Sequence, residues 1–501
     1  MKFNNPVIKG FYPDPSVCKV NDTYYMVCSS FQFFPGVPIF ESKDLINWAQ
    51  IGHCLTRKSQ IELETVGSSG GVFAPTIRHN NGRFYMTTTN DTLRQNFYVW
   101  TDDIYGEWSE PVFVDQGGID PDLYFEDGRT FFMSNGVDDF GKGGIVQCEI
   151  EIETGRKLSP SRSIWAGTGG RYLESPHMYK INGLYYLMAA EGGTEYGHMI
   201  TYARSESLTG PFEPYAHNPV LTNRNLGGYE LQGVGHGDLV QDGAGNWWIF
   251  HLGFRQIGRW LTFHHLGREV FLAPVTFGED GWFTAGHDGT TLISIETDRI
   301  PETVVQREKK QYTFGNTDWN LDWARLRHPV EGNYRLDADK VTLQGTLVTL
   351  DAPATPTFIG LRQRDFDAVI SCDVSLDWSN KEGEAGLTIY MDENHHYDLA
   401  LRKTAAGYQV IERLNIGDIK SVEREIALSD DAHEATLVIK SEHERYSFFL
   451  RSGSEDILLG SAQTRYLSSE VAGGFTGVLI GLYAVGEDAS AEFTNFNCEY
   501  L

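Results

Sequence analysis

Asp120-Pro-Asp-Leu-Tyr124, followed by Asp127-Gly128-Arg-Thr-Phe-Phe132, decides how this chain folds, because the same layout returns four more times. Each copy passes from a polar or small residue through a short apolar strand and a Gly, Asn or Asp turn into a strand rich in aromatics. The others are Asp14-Pro-Ser-Val-Cys18 with Asn21-Asp22-Thr-Tyr-Tyr-Met26, and Ala74-Pro-Thr-Ile-Arg78 with Asn81-Gly82-Arg-Phe-Tyr-Met86. Glu174-Ser-Pro-His-Met178 pairs with Asn182-Gly183-Leu-Tyr-Tyr-Leu187, and His236-Gly-Asp-Leu-Val240 with Gly245-Asn246-Trp-Trp-Ile249. Eleven residues on from 14, 74, 120, 174 and 236 stand Tyr25, Tyr85, Phe131, Tyr185 and Trp247, an aromatic every time. Asn-Gly or Asp-Gly between alternating runs is a strong hairpin signal, so each copy opens with a β-hairpin. Further strand-like material follows each hairpin, as in Val37 to Trp48 and Phe97 to Trp108.

Units of four short strands recurring every 46 to 62 residues are the signature of a β-propeller, and five copies mean five blades. The first strand of a blade lines the central axis. Positions 14, 74, 120, 174 and 236 are therefore expected to meet at one mouth of the channel. The competing reading is a β-sandwich whose hairpins merely look alike. Near residues 300–312 the repeat gives way to a charged stretch, and from about Tyr312 onward short alternating strands separated by polar turns predict a second all-β unit, most simply a β-sandwich. The expected organisation is all-β: a five-bladed β-propeller over residues 1–305, then a β-sandwich over 306–501.

The bulk properties narrow the partners. With 68 Asp and Glu against 41 Lys and Arg, the net charge of −27 would repel a polyphosphate or an anionic membrane, which argues against nucleic acid. A neutral ligand such as a sugar suits it, and so does plain solubility. The six cysteines are scattered with no CxxC pair, so zinc and redox motifs are absent. The N-terminus shows no apolar run of signal-peptide length, and no stretch elsewhere is long and apolar enough to span a bilayer. The expected location is cytoplasmic, with no membrane partner; the oligomeric state is left open, a homo-oligomer included.

Three of the five axis positions carry a carboxyl group: Asp14, Asp120 and Glu174. Acids gathered in one wet funnel repel each other, which raises at least one pKa, and glycosidic bond cleavage needs one carboxyl protonated and another ionised. A lone Asp before Pro is more simply a turn residue; the joint placement favours chemistry. Asp122 rivals Asp120, since i and i+2 share a strand face, but the common register selects Asp120. Asp138, Asp139 and Glu195 read as surface charge. The histidine pairs at 264–265 and 395–396 read as structural. His236, inside Gly233-Val-Gly-His-Gly-Asp238, could hold a channel water or a cation, or satisfy a hydrogen bond in the core.

With these residues placed, the chain resembles glycoside hydrolase family 43, in its β-xylosidase/α-L-arabinofuranosidase branch. The matching stretches include Asn5-Pro-Val-Ile-Lys-Gly-Phe-Tyr-Pro-Asp-Pro-Ser16, Phe73-Ala-Pro-Thr-Ile-Arg78, Gly118-Ile-Asp-Pro-Asp-Leu123, Leu173-Glu-Ser-Pro-His-Met178, Gly235-His-Gly-Asp238 and Leu266-Gly-Arg-Glu269. In the second unit, Leu321-Asp-Trp-Ala-Arg-Leu-Arg-His-Pro329 and Gly360-Leu-Arg-Gln-Arg364 look like the family's appended β-sandwich. The resemblance implies Asp14 as general base, Glu174 as general acid, and Asp120 as the carboxylate that orients the acid and raises its pKa. It implies that Arg268 contacts substrate near the base and that His236 helps hold a calcium or water in the channel, with no cofactor otherwise required. Phe73 departs from the family, where many relatives carry Trp.

The function expected from all this is an inverting, exo-acting β-1,4-xylosidase acting on the non-reducing ends of xylo-oligosaccharides or arabinoxylan-derived fragments. Phe33, Phe34 and Phe73 are expected to pack the sugar face, unless they belong to the core of blades one and two. The alternatives are an α-L-arabinofuranosidase or dual enzyme, a sugar-binding propeller without catalysis, and a retaining fructan-cleaving relative. The last lacks its Arg-Asp-Pro and Glu-Cys signatures here, since Gly118-Ile119 precedes Asp120 and Ser175 follows Glu174.

Overall fold

A computed structural model describes residues 1–376, 382–429, 432–487 and 489–501. Its N-terminal part holds five four-stranded antiparallel sheets, four of them built from consecutive strands and the first interrupted only by the short strand Phe33–Phe34. The strands nearest the axis are Ser16–Val20, Thr76–Asn80, Asp122–Glu126, Glu174–Ile181 and Leu231–Gln241. The second strands, such as Thr23–Val27 and Arg83–Asn90, are buried along nearly their whole length because blades pack face to face on both sides. That is why the aromatics and Met recur there: each blade's flat faces are filled by Tyr25, Phe84, Phe132, Tyr186 or Trp248, all at most 8% exposed. Burial of this kind stabilises by about 25 cal/mol per Å² of apolar surface.

The ring is closed by the N-terminus. Lys2–Asn4 pairs with Ser294–Glu296 beyond blade five. The buried Asn5 side chain donates to the carbonyls of Leu272 and Leu292, both at 3.0 Å, and accepts from the Leu272 amide at 3.0 Å. One amide side chain thus satisfies three backbone groups that would otherwise be stranded at the seam.

The C-terminal part is a β-sandwich of two eight-stranded sheets. Ala368–Leu376 shows the alternation expected of a strand with one face in the core: its odd-placed side chains are buried and the intervening ones half-buried. The one α-helical element among the described residues is the single turn Ser469–Ala472.

The two halves share a sheet. Phe33–Phe34 leaves blade one and pairs with Trp323–Leu326, so that a propeller segment forms the edge of a sandwich sheet. Beside this joint the fully buried Arg327 donates to the Val66 carbonyl at 2.6 Å and to Ala354 O. A buried strand pairing fixes register as well as position, so the sandwich is held at a defined orientation over the propeller.

Asn5→Ala should lower the unfolding free energy by about 1–3 kcal/mol, because three buried backbone partners lose their hydrogen bonds. Urea titration followed by tryptophan fluorescence measures this, and an unchanged midpoint would show that the seam does not depend on Asn5.

Candidate active site

The axis strands of the blades enter the channel through a repeated backbone kink. Asp14, Asp120 and His236 adopt left-handed conformations, with φ of 58°, 54° and 49°. In blade four the kinked residue is Ser175, φ 55°, and not Glu174. The ladders agree: Ser16 pairs with Val27, Asp122 with Met133 and His177 with Met188, so the residue matching Asp14 and Asp120 is Ser175. The expectation that position 174 is the fourth equivalent position is corrected by one residue. Adjacent Tyr185 and Tyr186 hide the offset, since either gives an aromatic at the right count. A bulge between Glu174 and His177 absorbs the difference and leaves Glu174 at the strand's upper end.

All three acids nevertheless line one cavity of about 480 Å³, a size typical of small-molecule sites. Its wall includes Asp14, Asp120, Glu174, His236 and Arg268, together with Phe31, Phe73 and Phe475. Asp14 and Asp120 are deep, at 5% and 8% exposure, while Glu174 is half-buried.

The acids differ in their partners. Asp14 Oδ1 accepts from Arg268 Nη1 at 2.9 Å, and its Oδ2 accepts from the Ser29 hydroxyl. Burial works to raise its pKa, but Arg268, His236 and Ser29 outweigh that and hold it below the usual value. Glu174 feels Arg268 only at a distance, without an ion pair among the described residues. Burial first and the Asp14 charge second push it up to about 7. Asp120 is also raised, by burial and then by Glu174 and Asp14, although its Oδ2 accepts from the Ser175 amide at 3.1 Å. Buried acids without enough counter-charge share protons rather than ionise together. The site can therefore present an ionised Asp14 and a protonated Glu174 at the same pH.

Arg268 lines the cavity beside Asp14, with a further bond to Thr194 Oγ1 at 2.8 Å and one to the Phe475 carbonyl at 3.1 Å. Phe73 lines the cavity, its ring 5.4 Å from Phe31 and 6.0 Å from Phe475. Phe33 and Phe34 do not line it. Phe33 is fully buried in a core shared with Phe358 and Tyr483 of the sandwich, and Phe34 packs among blade-one and blade-two residues. Their backbones are committed to the inter-domain strand, which turns both side chains into packing. The aromatic that serves from this run is Phe31, two residues earlier, whose left-handed φ of 49° sets it apart from the strand that follows.

Other residues were not singled out by sequence. Phe475, Glu470, Ser469 and Gly474 reach the cavity from the sandwich. Glu470 accepts from His264 Nδ1 and from the Tyr196 hydroxyl, both at 2.8 Å. His264, read from sequence as structural, thus belongs to the wall, as does Glu195, whose carboxylate pairs with Arg171. Asp122 lies outside, fully buried against Arg78.

His236 does not offer a calcium site. Calcium takes roughly six to eight oxygen ligands. His236 Nδ1 lies 3.7 Å from Asp14 Oδ1, and both Asp14 oxygens are already engaged. Among the described residues no cluster of three or more His, Cys, Asp or Glu could hold a metal. Burial lowers the His236 pKa to about 4, so the ring is neutral at working pH.

Residues 3–283 match the sequence profile described as Glycosyl hydrolases family 43, and residues 311–499 that of a Beta xylosidase C-terminal Concanavalin A-like domain. The chain is 37% identical to a non-reducing end alpha-L-arabinofuranosidase of Bacteroides ovatus, over 99% of this chain and 95% of the relative. It is 35% identical to a xylosidase/arabinosidase of Butyrivibrio fibrisolvens, over 99% and 98%. The crystal structure of a xylan beta-1,4-xylosidase from Bacillus halodurans superposes with a TM-score of 0.91 at 29% identity, covering 99% of both chains.

If Asp14 must be ionised and Glu174 protonated, kcat/KM should rise with pH through a limb below the ordinary carboxylate range and fall again through a limb near 7. Glu174→Gln should abolish the upper limb. A profile for the native protein that stays flat from pH 6 to about 9 would contradict this assignment.

Proposed function

The chain belongs to glycosyl hydrolase family 43, and from that premise we propose that it is an inverting, exo-acting pentosidase that removes terminal α-L-arabinofuranosyl and β-D-xylosyl units from short plant-polysaccharide fragments. The observation that carries this reading is the opposite displacement of two acids in one cavity: Asp14 held ionised by Arg268, Glu174 held protonated by burial and by Asp14.

In the reaction proposed, a water beside Asp14 gives up its proton to that carboxylate and attacks the anomeric carbon. Glu174 donates its proton to the departing glycosidic oxygen. Asp120 is raised by burial and by the Glu174 and Asp14 charges, so it and Glu174 do not ionise together, and the crowding leaves the acid its proton until the bond breaks. Inversion requires the two working carboxyls to stand roughly 6.5–9.5 Å apart with a water between. No hydrogen bond joins Asp14 to Glu174 among the described interactions, in keeping with a gap of that kind. None of these steps calls for a cofactor.

The exo character rests on the sandwich. Phe475, with Phe31 and Phe73, forms a three-ring wall, and the Phe475 carbonyl is tied to Arg268, so the pocket is blocked on that side. A blind pocket admits a chain end and excludes its middle. The breadth of the sugar preference follows from the wall's chemistry: apolar rings tolerate either pentose, and the few polar groups recognise hydroxyls common to both. The arabinofuranosyl unit is placed first because the relatives at 37% and 35% identity carry that activity in their names. This widens the β-1,4-xylosidase expected from sequence.

Comparing kcat/KM on nitrophenyl α-L-arabinofuranoside, nitrophenyl β-xyloside and xylobiose tests the specificity, and proton NMR of the first-formed sugar tests inversion; a retained anomer would overturn the mechanism. Glu174→Ala should depress turnover of xylobiose far more than that of a dinitrophenyl glycoside, whose leaving group needs no proton. Phe475→Ala should raise KM about tenfold through loss of ring contact with little change in melting temperature, as the side chain is 39% exposed.

A further inference from the structure

The channel does hold a cation, and it is a side chain. Arg78 stands four residues beyond Ala74 on the axis strand of blade two, Thr76–Asn80, and its guanidinium reaches the rung directly below the acids. Its Nε lies 3.0 Å from Asp122 Oδ1, and its Nη2 donates to Asp122 Oδ2 at 3.1 Å. Nη1 donates to Asp238 Oδ2 at 2.8 Å and lies 3.4 Å from Ser16 Oγ; Nη2 lies 3.0 Å from His177 Nδ1. Ser16, Asp122, His177 and Asp238 sit two residues past the kinked positions of blades one, three, four and five. One guanidinium from blade two therefore touches all four other blades.

Asp122 and Asp238 are both fully buried. Two buried carboxylates directly below three more would be untenable without a counter-charge. A planar, always-charged fork can answer both at fixed geometry.

We infer that the Arg78 guanidinium is the resident cation of this propeller channel, taking the central place a bound metal ion would otherwise occupy, and that it is a positioning residue for the catalytic rung above it. Asp122 and Asp238 lie two residues from Asp120 and His236 on their strands, so the guanidinium that spaces them also spaces the strand ends that carry the site. It further cancels negative charge that would otherwise act on the acids overhead.

The first measurement uses the native protein. After gel filtration, calcium by plasma mass spectrometry should be far below one ion per chain, and neither EDTA nor millimolar calcium should move the melting temperature, since an ion that binds the folded state must raise it. One calcium per chain, or a melting point that falls with EDTA and recovers with calcium, overturns the inference. The second uses Arg78→Ala and Arg78→Lys. Arg78→Ala should lose activity by on the order of a hundredfold or more, with its upper pH limb displaced upward, because two uncompensated carboxylates make Glu174 harder to ionise. Millimolar guanidinium should restore part of the rate, and Arg78→Lys should fall between. An unmoved upper limb in Arg78→Ala overturns the inference. Should Arg78→Ala fail to fold, the neutral variant Arg78→Met/Asp122→Asn/Asp238→Asn is read instead: its upper limb should return to the native position, and a displaced limb counts against the inference. The limb measurement rests on the hydrolase reading, whereas metal content and melting do not, so the two can fail separately.

Discussion

Closing five strand ends around one axis forces like charges together, and the rest of the structure accommodates that constraint. Asp14, Asp120 and Glu174 meet in one cavity, and Asp122 and Asp238 lie one rung below. In low dielectric, such charges either gain a cation or take up a proton. Both outcomes occur, and their distribution defines the chemistry. Arg268 serves Asp14 and Arg78 serves Asp122 and Asp238, while Glu174 and Asp120 are left with less counter-charge and rise. The acid and the base are distinguished less by residue type than by which of them an arginine reaches.

Arg268 itself depends on the second domain. Its Nη2 donates to the carbonyl of Phe475, a sandwich residue, and its guanidinium lies 5.7 Å from the Phe31 ring and 5.8 Å from that of Phe475. The sandwich is kept in place by the shared strand at Phe33–Phe34 and by the Glu470 bonds to His264 and Tyr196. The C-terminal domain is thus part of the pocket wall, and it fixes the cation that holds Asp14 below the usual carboxylate range.

The propeller was legible because its repeat is local: hairpin turns and aromatics recur within a dozen residues, and each blade is made of strands from one continuous stretch of chain. The three acids were legible for the same reason, since a repeat maps sequence position onto position around the axis. What was not legible depends on long-range contact. Phe31, Phe33 and Phe34 look interchangeable in sequence; only the pairing of the latter two with Arg325 and Leu326, some 290 residues away, assigns them to packing. Phe475 follows Gly473-Gly474, which signals a turn and nothing about where the turn points. Arg78 stands within the Phe73-Ala-Pro-Thr-Ile-Arg78 stretch, yet by sequence a charged residue four beyond Ala74 could as well face solvent. Its meaning came from Asp122 and Asp238, whose places on neighbouring blades had to be seen together.

The one-residue offset in blade four bears on the mechanism. Had Glu174 occupied the kinked position, as Asp14 and Asp120 do, its side chain would have been drawn to their depth. The kink falls instead on Ser175, whose amide binds Asp120, and Glu174 is left one residue nearer the mouth and half-buried. In the reaction proposed, the acid has to meet the oxygen of a leaving group that extends out of the pocket, whereas the base needs only a water held beneath the sugar. The bulge that spoils the repeat is what separates the two in depth, and the Ser175 bond to Asp120 ties the modulating carboxylate to the same backbone step that lifts the acid. Deleting one residue from that bulge would restore the regular ladder and withdraw the proton donor from the bond it has to reach.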